Sequence, residues 1–238
     1  MEYSALNISS LLEQNKFRYE KKYHIRSEFE NLLNISIKKH PALFSLAYPA
    51  RYINNIYFDT KDHSHYWDNV EGLAKRIKVR IRWYGEQFGS VSSPILEFKI
   101  KDNMTGSKLS FQMSDFTVAS SLSLEQVHEQ FKLLPIDNSV KEYLLTLEFI
   151  LMNRYYREYY VSQDGDFRLT VDSNLSFIKL SNRENYFLNK IDYPYSKILE
   201  LKYDAHLEPK SSIVSSALPF RMTRSSKYIY GAQLLKLL

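Results

Sequence analysis

Charged residues recur at every second position in several short stretches of this chain. In RYEKKY, Arg18, Glu20 and Lys22 share one parity, while Phe17, Tyr19 and Tyr23 share the other. In RIKVRIRWYG, Lys78, Arg80 and Arg82 alternate with Ile77, Val79, Ile81 and Trp83. LEFKIK sets Glu97, Lys99 and Lys101 against Leu96, Phe98 and Ile100, and SKLSFQM sets Lys108, Ser110 and Gln112 against Leu109, Phe111 and Met113. FRLTVD sets Arg168, Thr170 and Asp172 against Phe167, Leu169 and Val171, and LELKYD sets Glu200 and Lys202 against Leu199, Leu201 and Tyr203. Such rows can hold a polyanion. Arg makes planar bidentate contacts to phosphate oxygens and Lys supplies a compact charge. A carboxylate among them can hold Mg²⁺ or Mn²⁺ when phosphate oxygens and water complete the coordination. Phosphoryl transfer needs this kind of positioning and charge neutralisation more than covalent help.

A period of two is the period of a β-strand, whose side chains point alternately to opposite faces. One strand of this kind reads as an ordinary half-exposed strand with a solvated polar face. Six with the same basic bias point to a closed antiparallel barrel, basic and wet inside, with its apolar face turned outward under helices. Cations at this density repel one another unless an anion fills the space between them. Helix signals are few. Ser10–Asn15 reads as a short lead-in helix. Ser27–Lys39 has Phe29, Leu32, Leu33 and Ile37 at helical spacing, a Ser27/Glu30 capping box and Pro41 as its stop. Ser123–Leu134 and Ser225–Leu238 carry similar stripes. Leu144–Val161 is bulky and apolar at both parities as far as Asn153, which suggests a helix followed by a strand.

Composition excludes several classes. The 238 residues suit one domain, expected to span 1–238, and can enclose a real core. With no Cys there is no disulfide framework, no thiolate nucleophile and no Cys-based zinc site. A hydrophobic content of 44% is too high for disorder. Only 6 Gly occur, and neither GxGxxG nor GxxxxGK[ST] is present, so a Rossmann or P-loop nucleotide site has no support. The N-terminus lacks a secretory pattern, and no apolar run approaches the ~18 residues needed to cross a bilayer, so the expected location is the cytoplasm. His63 and His65 form an HxH in DTKDHSHYW, read as a loop; with no third ligand evident, a structural role is preferred. Asp59 reads as a turn residue at a strand end. Asp172 shares a face with Arg168, and a salt bridge is preferred to an outer-sphere metal role. Tyr155 and Tyr159 share parity with Arg157, and one of them could reach a phosphate. Arg221 and Arg224 read equally well as rim phosphate contacts or as solvated charge.

The ordered series RYEKKY, INNIYFDT, KVRIR, LEFK, Lys108, YYRE, FRLTVD, LELKY and SKYIYG resembles the VTC domain of the vacuolar transporter chaperone polyphosphate polymerases, within the triphosphate tunnel metalloenzyme (CYTH) superfamily. The resemblance spans roughly residues 17 to 232. It implies a mainly β (α+β) fold: an eight-stranded antiparallel barrel forming a tunnel, with a few covering helices. It places Arg18, Glu20 and Lys22 at the first-strand motif, commonly ExExK, where Arg18 replaces the first acid; this departure fits polymerase-type tunnels better than hydrolase-type ones. It implies phosphate-gripping roles for Arg80, Arg82, Lys99, Lys108, Arg157 and Arg168, a tunnel-closing role for Lys227, and a metal-binding role for Glu200. Glu20 and Glu97 stand as second-tier ligands for Mn²⁺ or Mg²⁺, or as partners that hold neighbouring Arg and Lys in place. Lys78 and Lys101 are expected at the tunnel mouths, and Lys202 and Arg224 join the substrate-binding set.

The implied function is transfer of the terminal phosphoryl of ATP to a polyphosphate chain. The alternatives are hydrolysis of tripolyphosphate or nucleoside triphosphates, and binding of polyphosphate without turnover. Nucleic acid is not an expected partner, because the charges fall on inward strand faces and a narrow tunnel excludes a duplex. Eukaryotic polymerases that the domain resembles also carry an SPX domain and membrane helices, which the residues read here do not include. Eleven of the 32 cations (Arg18, Lys22, Lys78, Arg80, Arg82, Lys99, Lys108, Arg157, Arg168, Lys202 and Lys227) and four of the 27 acids (Glu20, Glu97, Asp172 and Glu200) fall in the proposed interior. The interior is then far more basic than the net +5 suggests, inside a slightly acidic shell.

Overall fold

The computed structural model describes residues 18–103 and 105–237. The lead-in helix expected over Ser10–Asn15, and Phe17 of the first strand, lie outside them. Each alternating stretch forms a strand. In chain order the long strands are Arg18–Arg26 (β1), Ser45–Asp59 (β2), Lys75–Tyr84 (β3), Ile95–Asp102 (β5), Thr105–Gln112 (β6), Glu148–Val161 (β8), Arg168–Lys179 (β9) and Ser196–Asp204 (β11). Gly89–Val91 (β4) and Phe116–Val118 (β7) make a separate two-stranded ribbon, and Lys190–Tyr193 (β10) adds to the outer edge of β9. The pairing order β9-β11-β1-β6-β5-β3-β2-β8 returns to β9 through a β8–β9 ladder, so eight strands close a ring. Every pairing in it is antiparallel. Closure removes the free edges that an open sheet would expose.

Six α-helices lie among the described residues: Glu30–Lys38 (α1), Ser64–Glu71 (α2), Leu124–Lys132 (α3), Asn138–Leu145 (α4), Glu208–Ser216 (α5) and Lys227–Leu234 (α6). None is long and apolar enough to cross a membrane. The outward faces of β2, β3, β5 and β8 supply Ile56, Val79, Ile81, Phe98 and Met152 to a core closed by Val127, Phe131, Val140 and Leu144 of α3 and α4. On the opposite wall, Tyr23, Leu169, Val171, Leu199 and Leu201 pack under Leu33 and Ile37 of α1 and Val214 of α5. The apolar face is thus turned outward and covered, as the alternation implied.

Three sequence expectations need correction. The Ser27/Glu30 capping box does not form. Ser27–Phe29 is a 3₁₀ turn without a side-chain cap, and Glu30 instead meets Lys197 at 2.6 Å. A capping box is present at α3, where Ser123 and Gln126 bond reciprocally. The helix expected within Leu144–Val161 ends at Leu145, and β8 already runs from Glu148. The strand is apolar on both faces here because α3 and α4 cover one side, while Tyr228 and Ala232 of α6 pack with Leu151, Phe177 and Tyr57 on the other. Finally, the HxH segment is not simply a loop. His63 takes a left-handed conformation (φ 57°) and α2 starts at the next residue.

Candidate functional site

Asp59 ties the end of β2 to helices α2 and α6. It is fully buried at the end of β2. Its Oδ1 accepts from the backbone N–H groups of Thr60 and His65, both at 2.8 Å, and its Oδ2 accepts from Tyr66 N–H at 2.9 Å and from the Tyr228 hydroxyl. A carboxylate at the first turn of α2 suits the exposed N–H groups and partial positive charge there. The same group fastens α6, which carries Lys227. His65 is buried beside it, with Nε2 2.5 Å from the Tyr143 hydroxyl, so it serves the packing.

Inside the ring the charges sort into clusters. Glu97, 1% exposed, receives Arg80 Nε on Oε2 at 2.8 Å and Lys108 Nζ on Oε1 at 2.8 Å, and Arg82 Nη1 lies 3.6 Å away. Burial opposes the charge of Glu97, but Arg80, Arg82 and Lys108 outweigh it and hold the carboxyl far below its usual range. Arg82 is also oriented by Asn55 Oδ1 at 3.0 Å and the Tyr155 hydroxyl at 3.2 Å, and Arg80 by the Tyr57 hydroxyl at 3.1 Å. Asn55 in turn donates to Asn153 Oδ1 at 2.8 Å. Asn55, Asn153 and Tyr57 were missed from sequence. Their signal was available in the parity of INNIYFD, which puts Asn55 and Tyr57 on the face of Asp59.

Across the tunnel, Glu200 is 5% exposed and sits among four cations. Lys22 Nζ (3.3 Å) and Lys227 Nζ (3.8 Å) approach Oε1, and Lys202 Nζ (2.8 Å) and Arg157 Nη2 (3.6 Å) approach Oε2. Burial opposes its charge, yet Lys202, Lys22, Lys227 and Arg157 keep it ionised well below the ordinary carboxylate range. Asp172 is fully buried and takes Arg157 through two bonds, Nε to Oδ1 at 2.5 Å and Nη2 to Oδ2 at 2.6 Å, with Lys227 also on Oδ2. This is the salt bridge preferred for it. Glu20 meets Lys99 at 2.7 Å and Lys22 at 3.9 Å.

Lys78 is different. Its Nζ donates to Ser226 Oγ at 2.8 Å and, with the Asn69 amide turned to accept, to that oxygen at 2.8 Å; Arg76 Nε reaches the same oxygen at 3.2 Å. Burial, followed by Lys22, Lys99, Arg76 and Arg80, pushes the Lys78 ammonium well below its usual pKa. Lys99 falls to about 8, through burial and Lys22 acting against the pull of Glu20. Burial opposes ionisation of Tyr155, but Arg157 and Arg82 prevail and bring its phenol down to about 8.

Of the residues singled out from sequence, Lys22, Lys78, Arg80, Arg82, Lys99, Lys108, Arg157, Lys202, Lys227, Glu20, Glu97 and Glu200 converge in these linked clusters. Arg18 lies at the rim, half exposed and paired with Asp204 at 3.2 Å. Arg168, at the start of β9, and Arg224 are exposed at the periphery. Among the described residues no group of three or more His, Cys, Asp or Glu forms a protein-only metal cage. Glu97 has Oε1 held by Lys108 at 2.8 Å and Oε2 held by Arg80 at 2.8 Å, so the donor set there does not fit a metal, whereas the nearest cation to Glu200 Oε1, Lys22 Nζ, stands 3.3 Å away. Glu200 fits one in a limited sense: a single ionised carboxylate, with Glu20 and Asp172 close enough to influence it electrostatically, can take a divalent ion if phosphate oxygens supply most of the remaining ligands.

A closed eight-stranded antiparallel ring with a cation-lined interior defines a triphosphate tunnel fold. HpAC1 of Hippeastrum, an adenylyl cyclase-type protein described as having a dominant triphosphatase activity, superimposes with a TM-score of 0.54 at 11% identity, covering 92% of this chain and 95% of that one. The PH1819 protein of Pyrococcus horikoshii gives 0.47 at 13% identity, over 93% and 99%. The VTC domain family model matches residues 17–236, and the chain belongs to that family. Subunit 4 of the vacuolar transporter chaperone complex of Schizosaccharomyces pombe is 24% identical over 277 aligned positions, which cover 94% of this chain and 38% of that protein. The chain therefore spans well under half of that relative.

Proposed function

We propose that this tunnel is a metal-dependent polyphosphate polymerase-like phosphotransferase of the cytoplasm, held within one domain. The observation that carries the reading is the division of the interior into two facing cation clusters, one organised on Glu97 and the other on Glu200 and Asp172, with Lys78 lacking a carboxylate among its hydrogen-bond partners. Each cluster keeps its cations in place when the tunnel is empty and leaves donors free to turn toward a phosphate chain. A linear anion lying between the clusters meets Arg80, Arg82, Lys99 and Lys108 on one side and Lys22, Arg157, Lys202 and Lys227 on the other.

ATP is the proposed donor. Transfer breaks the bond between its γ-phosphorus and the bridging oxygen, forms a bond to the terminal oxygen of the chain, and releases ADP. Arg82 and Arg80 neutralise charge on the transferring group from positions fixed by Glu97, Asn55, Tyr155 and Tyr57, which is the preorganised electrostatic contribution that such transfers use. Mn²⁺ or Mg²⁺, held by Glu200 with phosphate oxygens, would add charge neutralisation at the phosphates. Lys227, fastened through α6 to Asp59, closes the tunnel wall beside Glu200. Purified protein incubated with ATP and metal tests the reading, with ADP and polymer as the expected products. Release of inorganic phosphate without polymer would mean that water replaces the chain as acceptor.

A further inference from the structure

The two ends of the tunnel are chemically unlike. The inward row of β3 runs Lys78, Arg80, Arg82, Tyr84. At the Lys78 end the groups are polar and charged: Ser226 Oγ and the Asn69 amide on Lys78, and Lys22 Nζ donating to the Ser225 carbonyl at 3.2 Å beside Glu20 and Glu200. The aromatic rings there, Tyr57 and Tyr228, are buried and stacked on each other with centroids 5.4 Å apart. At the Tyr84 end the rings are open to solvent. Tyr84 is 41% exposed and Tyr48 is 66% exposed. The Arg51 guanidinium lies 3.9 Å from the Tyr84 ring centroid and 5.4 Å from that of Tyr159. Its Nε donates to the Tyr159 hydroxyl at 3.3 Å, and Tyr48 meets Tyr159 edge-on at 5.9 Å. Arg51 pairs directly across the β2–β8 ladder with Arg157, so this collar adjoins the phosphate grip.

We infer that the Tyr84–Arg51–Tyr159 collar, with Tyr48 at its edge, is a stacking site for the base of a nucleoside triphosphate whose phosphates lie inside the tunnel. The tunnel then has a direction: the nucleoside sits at the Tyr84 mouth and the phosphate chain points toward Lys78. An exposed tyrosine with an arginine laid over it is a surface on which a planar heterocycle gains both ring stacking and cation–π attraction. Every base has such a face, so the collar should favour nucleotides over inorganic phosphates while discriminating little between adenine and guanine. This inference rests on the ATP-using reading given above.

The test compares ATP with inorganic tripolyphosphate, which fills the same grip without a base. Binding of both to wild type, Tyr84→Ala and Tyr84→Phe would be measured by calorimetry with metal present. Expected for Tyr84→Ala is an ATP affinity loss of about 5- to 20-fold, with tripolyphosphate changed by less than about twofold. Tyr84→Phe, which keeps the ring, should retain ATP affinity. In turnover the KM for ATP should rise with kcat unchanged, the signature of a lost binding contact away from the reacting atoms. Equal losses for the two ligands, or no loss for either, would overturn the collar. Wild type that binds tripolyphosphate as tightly as ATP at every stage would also overturn it while leaving the phosphate tunnel standing. Wild type that binds neither would overturn the tunnel reading as well.

Discussion

Glu97 stands directly across the β3–β5 ladder from Arg80 and grips its guanidinium through both Nε (2.8 Å) and Nη2 (2.7 Å). This pair explains how a basic interior survives without substrate. The carboxylate neutralises Arg80 and Lys108 and faces Arg82, so one acid restrains three cations that a phosphate chain would otherwise have to hold apart. Glu97→Gln should therefore destabilise the empty protein by about 3 kcal/mol or more, the usual consequence of removing one partner of a buried ion pair. Tripolyphosphate should recover a larger share of stability in the variant than in wild type, because it replaces the missing charge. Denaturant unfolding with and without the ligand checks this; equal ligand effects in both proteins would contradict it.

Removal of Arg82 tests the transition-state role. Its position is set by Asn55 and Tyr155 as well as by Glu97. Arg82→Ala should lower kcat by about 10²–10³-fold, as does loss of other preorganised donors to developing charge. Initial rates of nucleotide consumption at saturating ATP provide the measurement, and a change confined to KM would assign Arg82 to ground-state binding alone.

Glu200 separates metal dependence from anion binding. Glu200→Gln should raise the metal concentration needed for half-maximal activity by about tenfold or more, on the scale of losing a principal ligand interaction. Metal-free tripolyphosphate binding should hold or tighten, because one negative charge leaves the tunnel. Parallel metal titrations of activity and metal-free calorimetry distinguish the two effects. Weaker metal-free binding with unchanged metal dependence would show that Glu200 acts only by ordering its lysines.

Proton linkage follows from Lys78 and Lys99. Burial, with nearby cations, depresses both ammonium groups in the empty tunnel, Lys99 to about 8. A bound polyanion favours the charged form of each and raises both pKa values. Between the empty and bound values the complex holds more protons than the free protein, so binding at pH 8.5–9 should take up protons and affinity should fall as pH rises. Tyr155, near 8 in the empty tunnel, shifts in the same direction when an anion enters. Calorimetry in buffers of different ionisation enthalpy reads the uptake directly. Zero exchange or proton release at that pH would contradict the placement of these lysines against substrate.

Gly231 sets how closely α6 approaches the barrel. A Cβ at this position would lie 2.4 Å from Phe177 Cδ1 and 3.1 Å from Leu151 Cδ2. Gly231→Ala should destabilise by about 1–3 kcal/mol through overpacking, despite the higher helix propensity of Ala. It should also reduce activity by displacing Lys227, which begins the same helix. Thermal melts with rate measurements on the folded fraction test both effects.

The charged rows were legible in the sequence because each strand keeps a strict period of two, and closure turns that parity into inside and outside. RYEKKY, KVRIRWY and LELKYD needed only counting. Tyr48 was not legible in this way. β2 shifts register twice between Leu46 and Arg51, around Pro49, and parity cannot be carried across such irregularities. Helix α2 escaped notice because its cap comes from Asp59, several residues upstream, instead of from the residue at its start. The Ser-rich α5 carries little apolar periodicity; Lys21 bonds to its Ser211 at 2.9 Å and Ser215 at 3.3 Å. The division of labour among the carboxylates was also hidden: Glu20, Glu97, Asp172 and Glu200 share a face pattern, and only the three-dimensional register shows which oxygens remain available to a metal.

A tunnel that moves a phosphoryl group from ATP to a phosphate chain must lengthen polymer as it consumes ATP. The most direct test is incubation of purified protein with ATP and Mn²⁺, in parallel with Mg²⁺, followed by gel separation of the phosphate products and quantification of ADP and inorganic phosphate. Long-chain polyphosphate should accumulate with ADP, with no product from Arg82→Ala over the same interval. Inorganic phosphate without polymer, or no consumption of ATP by folded wild-type protein with either metal, would contradict such transfer.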